Sequence, residues 1–391
     1  MPYPPNKGEK LRTYYQIKRL KELGHDVHVL SFEEGPEDAK NAKALSQDLD
    51  IKVETEALGA KPLRYLWALL TSNPISVGAF YSPKMSTRLK DCIENNIDVL
   101  LLSASSLVSY VKRLYPNDNW PCKVMVDFMD VDSDKWRQYA RSSRWPMRYV
   151  YNREANGIQK LERYANTYFE HCFLIAEEEV KLFAKTVSSD KPVTVLGNGM
   201  AFDAFYPSKE APDLSNPHFL FAGVMDYKPN IDAVLWFYQH CWPEIKTLLP
   251  TAKFVVAGMN PSSEILDLQK KDASVEVTGF VDDILPYFHR ASVFVAPFRI
   301  ARGVQNKVLQ AAACQIPLVS TPMGAEGITF ADDSTMSICS ESDTFVKSCI
   351  EAVRNREAAT VKADKAFNAL QNEYGWEKQL KPMEEALEQN A

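Results

Sequence analysis

No apolar run in this chain approaches the roughly 18–20 residues that a membrane-spanning helix needs, and no signal peptide is recognisable. The seven cysteines are scattered, odd in number and without a C-x-x-C pair, which argues against a disulfide scaffold and for reduced, buried thiols. The six histidines form no H-E-x-x-H or comparable ligand pattern. Neither internal repeats nor low-complexity tracts are evident. We therefore expect a cytoplasmic protein without a histidine-based metal site.

The composition itself is that of an ordinary globular protein, with 46% hydrophobic and 25% charged residues. A length of 391 residues predicts two domains, each able to bury its own core. The net charge of -6 does not suggest a nucleic-acid partner. The first half is more basic than the second, which is compatible with an anionic or membrane-borne substrate.

Residues 293–321, VFVAPFRIARGVQNKVLQAAACQIPLVST, are the most informative stretch. They predict a buried parallel strand, an arginine-rich loop, a helix from Val304 to about Cys314, and a second strand. A helix start just beyond a strand end is a natural seat for phosphate. Gly303 allows close backbone approach, and Arg299 and Arg302 can donate charge-assisted hydrogen bonds. An ordinary crossover with solvated arginines is the alternative.

This stretch resembles the donor-binding segment of family-4 retaining glycosyltransferases of the GT-B fold. It is most similar to the sugar transferases associated with exosortase/PEP-CTERM exopolysaccharide systems. Arg302 stands at the first glutamate position of the broad family, as is usual in the narrower one. Gln310 replaces the second glutamate, which holds the donor ribose, and Gln315 replaces a glycine. Because an amide accepts hydrogen bonds more weakly than a carboxylate, Gln310 predicts weakened donor binding.

The resemblance covers nearly the whole chain and implies an α/β protein of the GT-B class. Two Rossmann-like domains would face each other across a cleft, and a C-terminal helix would cross back. The acceptor-side domain is expected at residues 1–196 plus 376–391, and the nucleotide-sugar domain at 197–375. The linker VTVLGNGMAFDAFYP sets the first boundary.

The opening loop, PYPPNKG, follows an apolar first strand in the relatives, and no such strand precedes it here. We therefore expect the first sheet to lack its first strand, which a doubly wound sheet places centrally. Lys7 and Gly8 are expected on the acceptor side of the cleft, unless they form a solvated turn. The following helix shows apolar residues at helical spacing: Leu11, Tyr14, Ile17, Leu20 and Leu23.

The segment DFMDVDSDKW also resembles the exosortase-associated family. Its D-x-D pattern mimics a metal–nucleotide motif, which we reject because it lies far in sequence from the phosphate loops. Asp130 and Asp132 are expected to bind sugar hydroxyls or the acceptor, together with Ser133. The alternative is that Asp132 or Ser133 caps the next helix.

Residues 135–163 carry eight basic and two acidic residues with interleaved aromatic rings. This composition is compatible with a peripheral contact to anionic lipid head groups at the inner face of the membrane and to a lipid-diphosphate acceptor. A solvated, partly packed helix pair is the alternative.

The loop GVMDYKPN predicts a second phosphate-facing turn after the strand at residues 218–222. Gly223 would admit the ligand, Lys228 is the only base in the loop, and Asn230 is expected to cap the next helix. Solvation of Lys228 is the alternative. The Gly279–Phe280 turn matches the base-contacting turn of the relatives.

The resemblance implies metal-independent transfer of a sugar, with retention, from a nucleotide-diphospho-sugar to a saccharide or lipid-linked acceptor, without a cofactor. The candidate catalytic residues are Arg302, Lys307 and Asp130. The candidate donor-binding residues are Gly223, Lys228, Phe280, Arg299, Gly303, Val304, Gln305, Asn306 and Gln310. Two alternatives remain: a degenerate GT-B binding or scaffold subunit, and a GT-B nucleotide-sugar epimerase.

Overall fold

The structure is a computed structural model that describes the chain except for residues 6, 7, 72, 96, 188–190, 301–303 and 389–391. It also leaves out the side chains of residues 8, 9, 69 and 142. The chain forms two compact units. Unit 1 comprises Met1–Gly199 and Gln379–Ala391, and unit 2 comprises Met200–Lys378.

The strands described in unit 1 are all parallel and form two sheets. They are β1 (His28–Glu33), β2 (Lys52–Ala57), β3 (Val99–Leu102), β4 (Lys123–Met129), β5 (His171–Leu174) and β6 (Thr194–Val195). One sheet pairs β1 with β2, and the other has the order β3-β4-β5-β6. Within the part of the chain that is described, β1 and β3 do not pair with each other.

The helices of unit 1 after α1 connect successive parallel strands, as such strands require, and α1 precedes β1. They are α1 (Gly8–Glu22), α2 (Asp38–Leu49), α3 (Lys61–Leu70), α4 (Ile75–Ala79), α5 (Pro83–Glu94), α6 (Val108–Leu114), α7 (Asp132–Ser142), α8 (Met147–Tyr168) and α9 (Glu177–Val187). Local chemistry sets some of their bounds. Ser82 accepts a hydrogen bond from the Met85 N–H, and Pro83 follows it, so the start of α5 combines two preferred residues.

The predicted apolar face of α1 was only partly right. Tyr14 and Ile17 are buried, but Leu23 is 42% exposed and Arg12 is fully buried. The Arg12 guanidinium donates from Nε and Nη2 to the two Asp127 carboxylate oxygens at 2.6 and 2.8 Å. Gln16 Nε2 also donates to Asp127, at 2.6 Å. A paired charge therefore occupies a core position that the apolar pattern alone did not reveal.

Unit 2 contains one parallel sheet among its described residues. Its strands are β7 (His218–Ala222), β8 (Lys253–Ala257), β9 (Val275–Gly279), β10 (Val293–Ala296), β11 (Leu318–Ser320) and β12 (Ser337–Ile338). The order is β12-β11-β10-β7-β8-β9. The strands β7, β8 and β10 are almost wholly buried apolar runs, as expected for a parallel sheet covered on both faces.

The helices of unit 2 cover this sheet and complete its core. They are α10 (Lys228–His240), α11 (Trp242–Leu248), α12 (Ser263–Lys271), α13 (Leu285–Arg290), α14 (Asn306–Ala313), α15 (Pro322–Ala325), α16 (Ser342–Arg354) and α17 (Arg356–Tyr374).

The final helix, α18 (Trp376–Glu388), returns the chain to unit 1 from Gln379 onward. Arg19 Nε donates to Glu384 Oε1 at 2.7 Å, and Lys123 Nζ donates to the Leu387 carbonyl at 3.0 Å. The second contact places a cation at the helix C-terminus, where the macrodipole favours it.

Candidate functional site

The strand order of unit 2 reverses between β7 and β10. From β7 the chain builds outward through β8 and β9, and it then returns to β10 on the other side. In open parallel sheets, ligands bind beyond the carboxyl ends of the strands at such a switch point. Gly223 follows β7 directly, and Phe298 and Arg299 follow β10. These residues therefore mark the expected crevice of unit 2.

Gly223 is packed so tightly that no side chain fits there. A Cβ at this position would lie 2.7 Å from Asn230 Nδ2 and 3.3 Å from Lys307 Nζ. On the other side, a Cβ on Gly258 would lie 1.7 Å from the Gly223 carbonyl oxygen. The glycine thus lets two polar side chains approach the strand end.

The predicted capping role of Asn230 is wrong. Tyr227 is the N-cap of α10, because Pro229 is accommodated in the first turn, and Asn230 lies inside the helix. The Asn230 side chain is buried, and its Nδ2 donates to the Val224 carbonyl at 2.8 Å. Its Oδ1 accepts from Lys307 Nζ at 2.7 Å. Asn230 therefore joins the loop after β7 to the first turn of α14.

The Lys307 amine is held in largely apolar surroundings. Nζ lies 4.7 Å from the centroid of the Phe298 ring and 5.6 Å from that of Phe221. Within the described ranges, no carboxylate forms an ion pair with it. Burial lowers the pKa of this amine from 10.5 to about 8. Among the described residues, therefore, the amine at the switch point has Asn230 as a hydrogen-bond partner and no counter-ion, which leaves its charge available to an anionic ligand.

The other described basic residues of the crevice differ from Lys307. Lys228 begins α10 and is exposed. Arg299 forms a two-pronged ion pair with Asp232, with Nη2–Oδ1 at 2.5 Å and Nε–Oδ2 at 3.1 Å. Asp232 therefore already neutralises Arg299, and contact with a phosphate requires it to share or exchange this partner.

The helix start expected to seat a phosphate is α14. Gln305 is its N-cap, Asn306 is its first residue, and Val304 precedes them in an exposed position. Gln310 lies one turn further on and is half-buried. Arg302 and Gly303 lie outside the described residues.

Gln315, the second departure from the family pattern, adopts φ +54°, in the left-handed region that favours glycine. Its side-chain Nε2 donates to Asp364 Oδ1 at 3.2 Å. The glycine of the relatives therefore matches a backbone requirement that this chain also has.

Phe280 follows Gly279, which ends β9 at φ +66°. Its ring is 68% exposed. The strand β9 is separated from β7 by β8. The ring is therefore accessible, at the same sheet edge as Gly223.

In unit 1 the predicted acceptor residues lie where β4 runs into α7. Asp130 is exposed, and Asp132 Oδ2 accepts a hydrogen bond from Ser105 Oγ at 2.5 Å. Ser133 is fully buried, which argues against a direct contact with an acceptor. Gly8 begins α1, and Lys7 lies outside the described residues.

The proposed capping of α7 by Asp132 or Ser133 is also wrong, since the cap position is Val131. Two distant carboxylates bind the free N–H groups instead. Glu162 Oε1 accepts from the Ser133 N–H at 3.0 Å, and Glu179 Oε2 accepts from the Val131 N–H at 2.8 Å. Burial raises the pKa of Glu162 to about 7 and also raises that of Glu179.

Sequence reasoning missed Glu162, although a signal existed. Glu162 lies at helical spacing with the buried Ile158, Leu161 and Ala165 of α8. A carboxylate in such an apolar stripe indicates a buried partner. Glu179 gives no comparable signal, because it stands in a run of three glutamates.

No helix among the described residues is long and apolar enough to cross a membrane. In the same part of the chain, no group of three or more His, Cys, Asp or Glu side chains is arranged to hold a metal ion.

Residues 216–355 match the family model described as "Glycosyl transferases group 1". The matched segment includes β7 to β12 and the whole Gly223–Asn230–Lys307 cluster. The match thus lies wholly within unit 2. The curated relative, from Klebsiella pneumoniae, is described as an uncharacterized 44.6 kDa protein in the cps region. It is 23% identical over 389 residues, which cover 95% of this chain and 94% of that protein.

Solved structures of similar fold cover nearly the whole chain. A glycosyltransferase from Rickettsia africae is 13% identical with a TM-score of 0.64, covering 98% of this chain and 96% of that one. Sucrose-phosphate synthase from Thermosynechococcus elongatus is 15% identical with a TM-score of 0.63, covering 98% and 93%. Anabaena HepE in complex with UDP-glucose is 12% identical with a TM-score of 0.61, covering 98% and 96%. The predicted α/β fold of the GT-B class is thereby confirmed.

Proposed function

We propose that the protein is a glycosyltransferase that transfers a sugar, with retention, from a nucleotide-diphospho-sugar to a saccharide or lipid-linked acceptor of a cell-surface glycan. The observation that carries the proposal is the uncompensated Lys307 amine, held by Asn230 at the switch point of a group 1 glycosyltransferase domain. The capsule-region relative and the UDP-glucose complex of HepE support the substrate class. Membership of the narrower family of exosortase-associated transferases stays a prediction.

The chemistry follows from where charge develops. As the glycosidic bond to the diphosphate breaks, negative charge accumulates on the leaving phosphate. Lys307 and the positive end of the α14 dipole stabilise that charge, and Lys228 lies on the exposed side of the same crevice. Arg302 is assigned the same role, stabilising charge on the leaving phosphate, from its position in the sequence ARGVQNKVLQ. The side chains present do not call for a covalent nucleophile, and the leaving phosphate itself serves as the base for the acceptor hydroxyl.

The first experiment is a thermal-shift panel with UDP, GDP, ADP, CDP and TDP. A ligand at a hundred times its Kd stabilises the native state by about 2.7 kcal/mol, which corresponds to a shift of several degrees. We expect one nucleotide to stand out, and we expect Lys307→Met to abolish its shift. Lys271→Met is the matched control, because Lys271 is exposed at the end of α12 and outside the crevice.

No shift with any nucleotide, from a folded sample, would favour the scaffold alternative that Gln310 and Gln315 motivate. If one nucleotide does stabilise the protein, the second experiment supplies that nucleotide as its diphospho-sugars, with lipid-linked and free saccharide acceptors. Transfer with retention of the anomeric configuration is the expected result. An epimerised nucleotide-sugar formed without any acceptor would instead establish the epimerase alternative.

A further inference from the structure

The turn between β4 and α7, residues 129–133, lies at the carboxyl end of a parallel strand of unit 1, the edge at which such sheets bind ligands. It carries Asp130, whose side chain is exposed. Met129 adopts φ +65° although it is not glycine, and the pairing of β4 with β5 is irregular between Asp127 and Met129. Such backbone strain and such bulges occur often beside functional sites, where they direct a side chain.

Every backbone N–H group of this turn has an acceptor. Those of Asp130 and Asp132 donate to the carbonyls of Phe128 and Asp130, at 2.9 and 3.1 Å. The other three donate to carboxylates: Met129 to Asp127 Oδ1 at 3.2 Å, Val131 to Glu179 Oε2 at 2.8 Å, and Ser133 to Glu162 Oε1 at 3.0 Å. The contacts thus fix the whole turn, which is how a strained backbone persists in a native structure.

Two of these carboxylates come from other helices, Glu162 from α8 and Glu179 from α9. A helix start is usually capped by a short polar side chain next to it, without burial of a charge. Glu162 is fully buried, and burial of an ionised carboxylate destabilises the native state. A glutamine at 162 would accept the same N–H without a charge. Holding the start of α7 therefore does not by itself explain a carboxylate at this position.

The charge of Glu162 depends on pH. Burial, and to a smaller extent the charge of Asp132, raise its pKa from 4.5 to about 7, against hydrogen bonding by Ser133 and the charge of Arg137. Glu179 faces the same turn from α9, and burial raises its pKa as well. Glu162 Oε2 is buried and has no hydrogen-bond partner among the described residues. A proton can add there without displacing the Ser133 N–H from Oε1, but the loss of charge weakens that hydrogen bond.

We propose that Glu162 and Glu179 are positioning residues for the acceptor: they hold the turn in the conformation that presents Asp130, and Glu162 holds it more firmly when ionised. The inference rests on the proposed function and on the acceptor role expected for Asp130. Binding of the acceptor should therefore tighten as the pH rises through about 7. Binding of the nucleotide, which the proposed function assigns to unit 2, should not depend on Glu162.

The first test observes the turn itself and needs no activity. In the full chain labelled with nitrogen-15 serine, the Ser133 amide signal is followed from about pH 5 to about pH 9 and is assigned by its absence from Ser133→Ala. We expect a shift with a midpoint near pH 7 in wild type and none in Glu162→Gln. Glu170→Gln is the control, since Glu170 Oε2 accepts from the Val124 N–H at 2.7 Å at the opposite end of β4. A Ser133 signal that does not titrate near pH 7, or that titrates alike in Glu162→Gln, would overturn the proposal.

The second test separates positioning from general stability. At pH 8, Glu162→Gln should raise the KM for the acceptor about fivefold, because a neutral hydrogen bond replaces a charge-assisted one. At pH 6 the two proteins should converge, since Glu162 is then protonated. The Kd for the nucleoside diphosphate, measured by calorimetry, should stay within about twofold of wild type at both pH values. Glu170→Gln should leave both quantities unchanged.

A purely structural role for Glu162 predicts a different result. Acceptor binding, nucleotide binding and kcat would then fall together at every pH, and this outcome would overturn the proposal. Circular dichroism and melting establish that each variant is folded. If Glu162→Gln is not, Glu179→Gln replaces it, with the same expected rise in the KM for the acceptor. A wild-type protein that transfers no sugar would refute the proposed function instead, and the Ser133 titration would then decide alone whether Glu162 holds the turn.

Discussion

The buried amine of Lys307 should make the free energy of unfolding depend on pH. Its pKa is lowered from 10.5 to about 8 in the native state because the amine is buried. Between these two values the unfolded chain binds more protons than the native chain, so the contribution of Lys307 to stability rises with pH through this window. At 1.36 kcal/mol for each pKa unit, the full change amounts to about 3 kcal/mol. Below pH 8 the native protein bears the whole cost of the buried charge.

The variant Lys307→Met removes this cost and keeps a flexible side chain beside Phe221 and Phe298. It also leaves Asn230 Oδ1 without its donor, which costs about 1–3 kcal/mol. The two effects nearly cancel at pH 7, so the absolute change in stability is small. Asn230 does not titrate, however, and its loss is the same at every pH. Relative to wild type, the free energy of unfolding of the variant should therefore fall by about 2–3 kcal/mol from pH 7 to pH 10.

Urea unfolding, followed at several pH values for wild type, Lys307→Met and Lys271→Met, measures this difference directly. Subtracting wild type also removes the contribution of the buried thiols, such as Cys241 and Cys314: burial raises their pKa values in the native state, so in this pH range they titrate only in the unfolded chain. A carbon-13 titration of labelled lysine side chains gives the pKa of Lys307 independently, with its signal assigned by its absence from the variant. A difference that stays constant with pH, or that Lys271→Met reproduces, would refute the reasoning.

Three further changes test neighbouring parts of the site. Asn230→Asp sets a carboxylate against Lys307 Nζ, so it should raise the pKa of that amine and weaken nucleoside-diphosphate binding at least about tenfold by calorimetry; unchanged affinity would contradict the placing of the phosphate. Gln310→Glu should strengthen nucleotide binding by about 1 kcal/mol, and the same affinity in both proteins would contradict the ribose contact. Gln315→Gly should raise the free energy of unfolding by about 1 kcal/mol, since it relieves a left-handed backbone at the loss of one hydrogen bond to Asp364; a loss of stability in urea would contradict this.

The elements of unit 2 could be predicted because their signals are local. The strand predicted at residues 218–222 is β7, and the VFVA run is β10. A central parallel strand is apolar on both faces, so four or five consecutive residues suffice to identify it. The helix predicted from Val304 begins two residues later, at Asn306. Differences of this size at element ends are common, because terminal turns depend on capping geometry.

The polar contacts of the site could not be predicted in the same way. Asn230 and Lys307 are 77 residues apart and meet only because β7 and β10 become neighbours in the sheet. Near a helix start, Asn is a favoured cap, and this preference led to the wrong role for Asn230. Arg12 shows the same limit in unit 1, since its partner Asp127 lies 115 residues away. Periodicity indicates which face of a helix is buried, but it does not reveal a polar residue whose partner lies on another element.

Arg299 and Lys307 differ in whether a described carboxylate balances their charge. Arg299 has Asp232 as a counter-ion, so the protein alone accounts for its position. Lys307 has none among the described residues, and methionine would fill the space between the two phenylalanines without a charge. The buried charge of Lys307 therefore destabilises the fold by about 3 kcal/mol below pH 8, and the hydrogen bond to Asn230 offsets much of this. An anion bound at the switch point offsets that cost, and the amine then regains the proton that burial disfavours. Binding of a nucleoside diphosphate near pH 8 should accordingly take up about half a proton, which calorimetry in buffers of different ionisation enthalpy measures. The absence of uptake would place the diphosphate away from Lys307.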